Sequence, residues 1–331
     1  MISVIVVTYN QENTIARTLD SILKQKDVQD LEIIIGEDHS SDNTRQICEM
    51  YALKYPSIIR LFSNSENKGI VRNYFDCLKE CRGNYIADCA GDDFWIDEYK
   101  LKKERDIIHN HPEVSLVHTD WYFYDENRQA MTDSGKQEFD APFTIGDKML
   151  TSIITQTTRP IIHLCTSLYR NSAITKAYNE DRNLFCNNDY GCEDLQIAFA
   201  MAQCGNIAYI PDKTLCYSIG HNSISSQPND AKQFEFVKKT TNLSYYLSNK
   251  FRIKNRRTNI FFKQKLHALT MHAIRSNQYS LIQEVKHLTE EWHTTPALTT
   301  HILLLFSHNP QLFKIVSFLR KTAAYIKKHI F

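Results

Sequence analysis

The sequence predicts an α/β protein, a mostly parallel sheet with helices on both faces, followed by a basic helical subdomain at the C-terminal end. Three observations predict it. Strand-like and helix-like apolar patterns alternate five times before residue 120, polar clusters follow the strand ends, and periodicity and charge both change beyond residue 231. Such alternation calls for parallel strands joined by crossover helices.

The elements follow in order. Ile2 to Val7 is an unbroken β-branched apolar run, the mark of a strand covered on both sides, and it ends at Thr8-Tyr9-Asn10. Ile15, Leu19, Ile22 and Leu23 recur at helical spacing from Glu12 to about Gln25. Leu31 to Ile35 reads as a second strand, ending at Gly36-Glu37-Asp38. Ser41-Asp42-Asn43-Thr44 supplies cap-type residues for a helix to about Tyr55, which Pro56 stops. Ile58 to Phe62 is a third strand, Gly69 to Cys81 a helix, and Tyr85-Ile86-Ala87 a short fourth strand leading to Gly91-Asp92-Asp93. A helix over Tyr99–His109 precedes a fifth strand at Val114–His118, and Trp121-Tyr122-Phe123-Tyr124 begins a further strand.

Composition bounds the function. Of 331 residues, 42% are hydrophobic and 23% charged, with 9 Gly and 8 Pro, which excludes collagen-like and wholly disordered chains. No run approaches the ~18 apolar residues of a membrane-spanning helix. Met1 runs straight into the first strand with no basic leader or cleavage site, so a cytoplasmic protein is expected. The 9 cysteines lack C-x-x-C spacing and read as free thiols. Residues 1–231 hold 22 Lys and Arg against 34 Asp and Glu, whereas residues 232–331 hold 17 against 4. Two domains are expected on either side of residue 231: an acidic body that gathers carboxylates, and a basic tail that suits an anionic partner.

In parallel sheets ligands sit beyond the carboxyl ends of the strands, which is where Thr8-Tyr9-Asn10, Glu37-Asp38 and Asp92-Asp93 fall. No G-x-G-x-x-G turn follows the first strand and no G-x-x-x-x-G-K-[ST] occurs, so dinucleotide-binding and P-loop functions lose their main support.

Over residues 1–225 these clusters resemble the GT-A glycosyltransferases, specifically the large inverting family two. Ser3 to Asn10 matches the opening strand and T-[YF]-N turn, and Ile35 to Thr44 the D-D-G-S-x-D-x-T segment. Asn67-Lys68-Gly69-Ile70-Val71-Arg72-Asn73 is similar to N-x-G-x-x-x-N, and Ala90-Gly91-Asp92-Asp93 stands at the D-x-D metal motif. Gly191-Cys192-Glu193-Asp194 resembles the E-D motif, and Tyr217 to Ser225 the closing Y-x-x-x-x-N-S-x-S stretch. Six pieces in order are far more specific than any one.

The resemblance implies a metal-dependent inverting transfer of a hexose or N-acetylhexosamine from a UDP-sugar to a saccharide or lipid-linked glycan acceptor in surface-polysaccharide biosynthesis. Asp92 and Asp93 are then the ligands of Mn²⁺ or Mg²⁺, hard cations that need only one or two protein carboxylates and stabilise a departing diphosphate. By themselves they could cap a turn. His221 is a candidate third ligand, one residue off the usual position. Thr8, Tyr9, Glu12 and Asp38 line the base and ribose, Asp38 accepting the uracil N3–H through a charge-assisted bond. Asn67 belongs to this nucleotide-binding set, while Lys68 and Arg72 contact base or phosphate or form an exposed basic helix start. Asp194 is the general base that takes the acceptor's proton, with Glu193 orienting the acceptor; otherwise the two are helix-terminal acids. His163 to Arg170 resembles a segment near the acceptor cleft, or is an ordinary strand. Three positions depart from the pattern: Ala90 replaces the first metal-motif acid, His39 replaces a glycine and must tolerate positive φ, and Ser218 stands where an arginine is common. Ala90 keeps a non-catalytic nucleotide-sugar-binding scaffold in view. A nucleotidyltransferase is disfavoured by the lack of a Gly-rich basic loop after the first strand.

Helices are expected at about 232–249, 256–276, 278–292, 297–307 and 311–329. Residues 311–331 combine apolar positions with five Lys and Arg and no acid, a pattern that lies on an anionic leaflet or packs inward. Peripheral association with the inner face of the cell membrane is the expectation for the tail. Nucleic acid is not, since no reader motif is present.

Overall fold

The computed structural model describes residues 1–135, 141–220, 229–307, 309–315 and 317–318. It divides into two compact units, Met1–His221 and Asn222–Phe331.

The first unit alternates β1 (Ile2–Thr8), α1 (Ile15–Leu23), β2 (Leu31–Glu37), α2 (Thr44–Lys54), β3 (Ile59–Ser63), α3 (Ile70–Glu80) and β4 (Tyr85–Asp88). It continues with β5 (Phe94–Trp95), α4 (Lys100–Asn110), β6 (Val114–Asp125), β7 (Ala130–Asp133), β8 (Phe143–Thr144), α5 (Gly146–Ile154) and β9 (Ser167–Arg170). It closes with α6 (Asn171–Glu180), α7 (Arg182–Cys186), α8 (Asp194–Cys204) and β10 (Asn206–Ile219). One sheet runs β3-β2-β1-β4-β9-β6-β10-β5, with β7 on β6 and β8 on β10.

The half built from β3, β2, β1 and β4 is parallel throughout. β9 then enters antiparallel to both β4 and β6, and β10 runs parallel to β6. β1, β2, β3, β4, β6 and β10 therefore point the same way, and their carboxyl ends share one edge. All seven residues of β1 are buried, as the unbroken apolar run requires. Ile33, Ile34 and Ile35 are fully buried in β2, each stabilising the fold by roughly 1.5–3 kcal/mol. Gly36 lets α3 lie close on β2: a Cβ there would stand 2.5 Å from Cys77 Sγ and 2.8 Å from Asn73 Oδ1.

Two local expectations change. Val114–His118 and Trp121–Tyr124 are not separate strands but one strand, β6, because β10 pairs along its length and absorbs the irregularity between Tyr209 and Leu215 as register shifts. Of the segment 163–170, Ser167–Arg170 is strand β9, preceded by a single 3₁₀ turn at Leu164–Thr166.

The second unit holds α9 (Asp230–Lys250), α10 (Arg256–Ser276), α11 (Tyr279–Glu291) and α12 (Leu298–Phe306), with further helical turns at 310–315. Asn229 caps α9, and Asn255 forms a reciprocal capping box with Thr258 at the start of α10. Its core gathers Phe234, Leu266, Leu269, Ile274, Ile282, Val285, Trp292 and Phe313. Among the described residues no helix is long and apolar enough to cross a membrane.

Candidate active site

The carboxyl edge of the sheet is laced together at the polar clusters. Asp38 N donates to the Thr8 carbonyl at 3.0 Å, and Gly91 N donates to the Val7 carbonyl at 3.1 Å, so the ends of β2, β1 and β4 are contiguous. Gly91 permits the approach, since a Cβ there would lie 2.4 Å from Gln11 Oε1 and 2.8 Å from Thr8 Oγ1.

Asp38 is buried, and its carboxylate accepts from Asn64 Nδ2 at 2.9 Å, Lys68 N at 2.8 Å and Gly69 N at 2.9 Å. It thus gathers backbone donors at the start of α3, where the helix dipole favours an anion. Of these three bonds Oδ2 takes one, which leaves acceptor capacity for a ligand. Asn67 Nδ2 donates to the Asp38 carbonyl at 3.1 Å. Lys68 Nζ reaches Asp76 at 3.0 Å, and Arg72 is exposed. Tyr9 is also exposed, standing off the β1 end with its ring open to a ligand. Thr8 is buried, and its Oγ1 finds no partner. Glu12 spends Oε2 on Asn43 N and Nδ2, at 2.9 and 2.7 Å, bracing the entry to α2. His39 takes the positive φ of the missing glycine, 62°.

At the β4 end Asp92 is half-buried and Asp93 almost fully buried. Asp93 Oδ1 accepts from Ser218 N at 2.9 Å, while Oδ2 is buried without a partner. Burial first, and then the Asp92 charge beside it, push the Asp93 carboxyl well above its ordinary range. Two hard oxygen donors in mutual repulsion, one with an orphaned buried oxygen, suit a divalent cation. Among the described residues no three His, Cys, Asp or Glu side chains form a metal cage. His221 and the Asn222–Ser225 stretch lie outside the described residues.

Asp194 opens α8, and Glu193 precedes it. Asp194 is exposed at its surface, and desolvation by the protein around it lifts it to about 6. Glu193 is pushed well above its usual value, chiefly by desolvation and then by the Asp194 charge. Burial raises the Cys165 thiol, and the charges of Asp93 and, more weakly, Asp194 add to it.

Arg17 and Asp88 are not singled out by the sequence, whereas His163 is, as the start of a segment resembling one near the acceptor cleft. Arg17, from α1, donates through Nη2 to the Asp92 carbonyl at 3.0 Å and Ser218 Oγ at 3.3 Å, and pairs with Glu126 at 2.5 Å. Its guanidinium lies over the Phe94 ring at 4.2 Å. A cation thus stands beside Ser218 although residue 218 is no arginine. His163 packs against Tyr217 and Trp121, with ring centroids 4.8 and 5.6 Å away, and burial lowers it to about 4. Asp88, at the end of β4, accepts from Tyr74 Oη at 2.5 Å, and Tyr74 and Tyr169 share a hydroxyl contact. Burial lifts Asp88 to about 8, with the Asp194 charge contributing. Nothing in the motif text marks Arg17; only its position on the α1 face beside a strand-end turn could have.

Comparison with known proteins gives the family and the fold. The family model "Glycosyl transferase family 2" matches residues 3–177. An uncharacterized protein of Mycobacterium tuberculosis is 38% identical over 114 residues, 34% of this chain and 33% of that one. WfgD of Escherichia coli, a UDP-Glc:alpha-D-GlcNAc-diphosphoundecaprenol beta-1,3-glucosyltransferase, is 36% identical over 97 residues, 29% of this chain and 36% of that one. The matches to such curated relatives thus span about a third of their length. Among solved structures, S. aureus TarS 1-349 in complex with UDP-GlcNAc superposes with TM-score 0.52 at 17% identity, covering 97% of this chain and 92% of that one. The mannosyltransferase PcManGT of Pyrobaculum calidifontis, in complex with GDP-Man and Mn²⁺, gives TM-score 0.52 at 17% identity, covering 98% and 84%. At such identities the likeness is one of fold.

Proposed function

The chain belongs to glycosyl transferase family 2, and from that premise we propose that it is a metal-dependent inverting glycosyltransferase. It moves a hexose or N-acetylhexosamine from a UDP-sugar to a saccharide acceptor, lipid-linked, in surface-polysaccharide assembly. The observation that carries this reading is the Asp92-Asp93 pair at the carboxyl end of β4, where Asp93 Oδ1 is held by Ser218 N and Oδ2 is buried without a partner. The named activity of WfgD, with a UDP-sugar donor and a diphosphoundecaprenol acceptor, supports the donor and acceptor classes.

In this reading Asp38 accepts the uracil N3–H, Tyr9 stacks on the base, and Thr8, Asn67, Lys68 and Arg72 line the nucleotide. Glu12 serves the ribose side by bracing the loop that Asn43 opens. Asp92 and Asp93 would hold Mn²⁺ or Mg²⁺, with His221 as a third donor, and the ion would supply charge neutralisation to the leaving diphosphate. Arg17 holds the Asp92 carbonyl and keeps the turn in place. Asp194 removes the acceptor hydroxyl proton as the oxygen attacks opposite the leaving phosphate, which inverts the anomeric centre. A base lifted to about 6 is ionised at neutral pH yet still a useful proton acceptor. Glu193, whose carboxyl desolvation pushes well above its ordinary range, orients the acceptor.

Ala90 favours one competing reading, a nucleotide-sugar-binding scaffold without turnover, because the first metal-motif acid is missing. UDP release from a panel of UDP-sugars, with Mn²⁺ and then with chelator, tests both. Release that stops on chelation supports transfer. Tight UDP binding without turnover, acceptors included, supports the scaffold.

A further inference from the structure

The outer surface of α12 is inverted relative to an ordinary amphipathic helix. Thr300, Leu304 and Ser307 turn inward, while Leu298, Ile302, Leu305 and Phe306 are exposed, at 74%, 42%, 59% and 58%. Their spacing places the four on one helix face. The helical turns at 310–315 repeat the pattern: Phe313 is buried, and so is Ser317 after them, whereas Leu312, Ile315 and Phe318 face outward. Seven of the eighteen large exposed hydrophobics among the described residues thus fall within 298–318. Scattered single residues need no explanation, but such a concentration marks an interaction surface.

Charge selects the occupant. From Trp292 to Phe331 the chain contains no Asp or Glu and five Lys and Arg, namely Lys314, Arg320, Lys321, Lys327 and Lys328. Lys314 stands exposed between Leu312 and Ile315. A second copy of the same face would set Lys314 against a like charge, with no acid in 292–331 to relieve it. An anionic lipid leaflet meets both features, since acyl chains take the apolar side chains and headgroup phosphates take the cations.

We propose that the exposed apolar side chains of α12, with Leu312, Ile315 and Phe318 after it, dock on an anionic membrane surface, where a lipid-linked acceptor is presented. The proposal deepens the reading given above and rests on it for the nature of the acceptor. It requires no spanning segment.

The test uses the full chain and vesicles of phosphatidylcholine alone or mixed with phosphatidylglycerol, followed by flotation. The protein floats with the anionic vesicles only, and rising salt weakens the binding. Leu305→Glu combined with Phe306→Glu lowers the partition by about tenfold or more, because each glutamate removes an apolar anchor and adds a repelled charge. Lys314→Glu lowers it less, and Ile260→Glu, at an exposed apolar position on α10, leaves it unchanged. Thermal melting checks that every variant is folded. The proposal is overturned if the unaltered chain ignores anionic vesicles, if the double variant binds them as well, or if binding appears only once residues 319–331 are removed. It is equally overturned if the chain is a dimer that the double variant splits and that never binds vesicles. Metal-dependent UDP release in the same preparations separates the two readings. Release without vesicle binding sinks the docking face alone, and vesicle binding without release in any preparation sinks the transferase reading alone.

Discussion

The backbone N–H of Ser218 donates to Asp93 Oδ1 at 2.9 Å, joining residues 125 apart in sequence. Ser218 Oγ also donates to the Asp92 carbonyl at 2.6 Å, so the last residues of β10 hold the Asp92-Asp93 turn by both its backbone and its side chain. One oxygen of Asp93 is thereby committed to positioning, and the other is left buried and unpartnered.

That arrangement makes Asp93→Asn more damaging than its size suggests. The amide can still accept from Ser218, so the fold should survive, but the charge facing the cation is gone. Mn²⁺-dependent UDP affinity, read by calorimetry, is expected to fall by about tenfold to a hundredfold, with Asp92→Asn at the lower end. Unchanged affinity in both variants would show that the ion, if bound, sits elsewhere.

Asp194→Asn separates binding from chemistry. UDP binding in Mn²⁺ should stay within about twofold, while transfer to acceptor drops by about 10²–10⁴. Because the base acts only when ionised and desolvation lifts Asp194 to about 6, transfer should decline as pH falls through that value. A pH profile with no acid limb in this region removes Asp194 from the role.

Asp88 offers a stability test. Burial raises it from 3.8 to about 8, so between those values the folded state holds a proton that the unfolded chain releases. Its contribution is therefore most favourable at low pH and is lost as pH rises through about 8. Asp88→Asn keeps an acceptor for Tyr74 and carries no titrating group. It should raise Tm by a few degrees at pH 8, on the order of 1–2 kcal/mol, and by less at pH 5. Equal melting of the two proteins at pH 8 would falsify the assignment.

Arg17→Lys probes the clamp on the metal turn. Lysine keeps the charge but cannot reach the Asp92 carbonyl, Ser218 Oγ and Glu126 with one planar fork. The expected result is a rise of about tenfold in donor KM with a smaller change in kcat, because the residue places the turn and does not touch the reacting atoms. A variant indistinguishable from the parent in KM would mean the turn holds its shape without help.

Much of this architecture was legible from local pattern. The β1 run, the Gly36-Glu37-Asp38 and Gly91-Asp92-Asp93 strand ends, and the helices beyond residue 231 rest on short-range rules of periodicity, capping and turn chemistry. Less legible was the middle of the chain. Val114–His118 and Trp121–Tyr124 look like two strands because Thr119 and Asp120 interrupt the apolar pattern, yet both residues are buried and the strand continues along β10. Arg17 had no motif to announce it, since its partners come from three other segments: Asp92, Glu126 and Ser218.

By itself the chain's order of residues determined which elements form and which carboxylates end up at strand tips, because both depend on neighbours a few positions away. Only tertiary structure decided that Asp93 would lose its solvent, that desolvation would lift Asp194 to about 6, and that α12 would turn Leu298 and Leu305 outward. Burial and charge proximity are properties of segments brought together from far apart, and no local pattern encodes them.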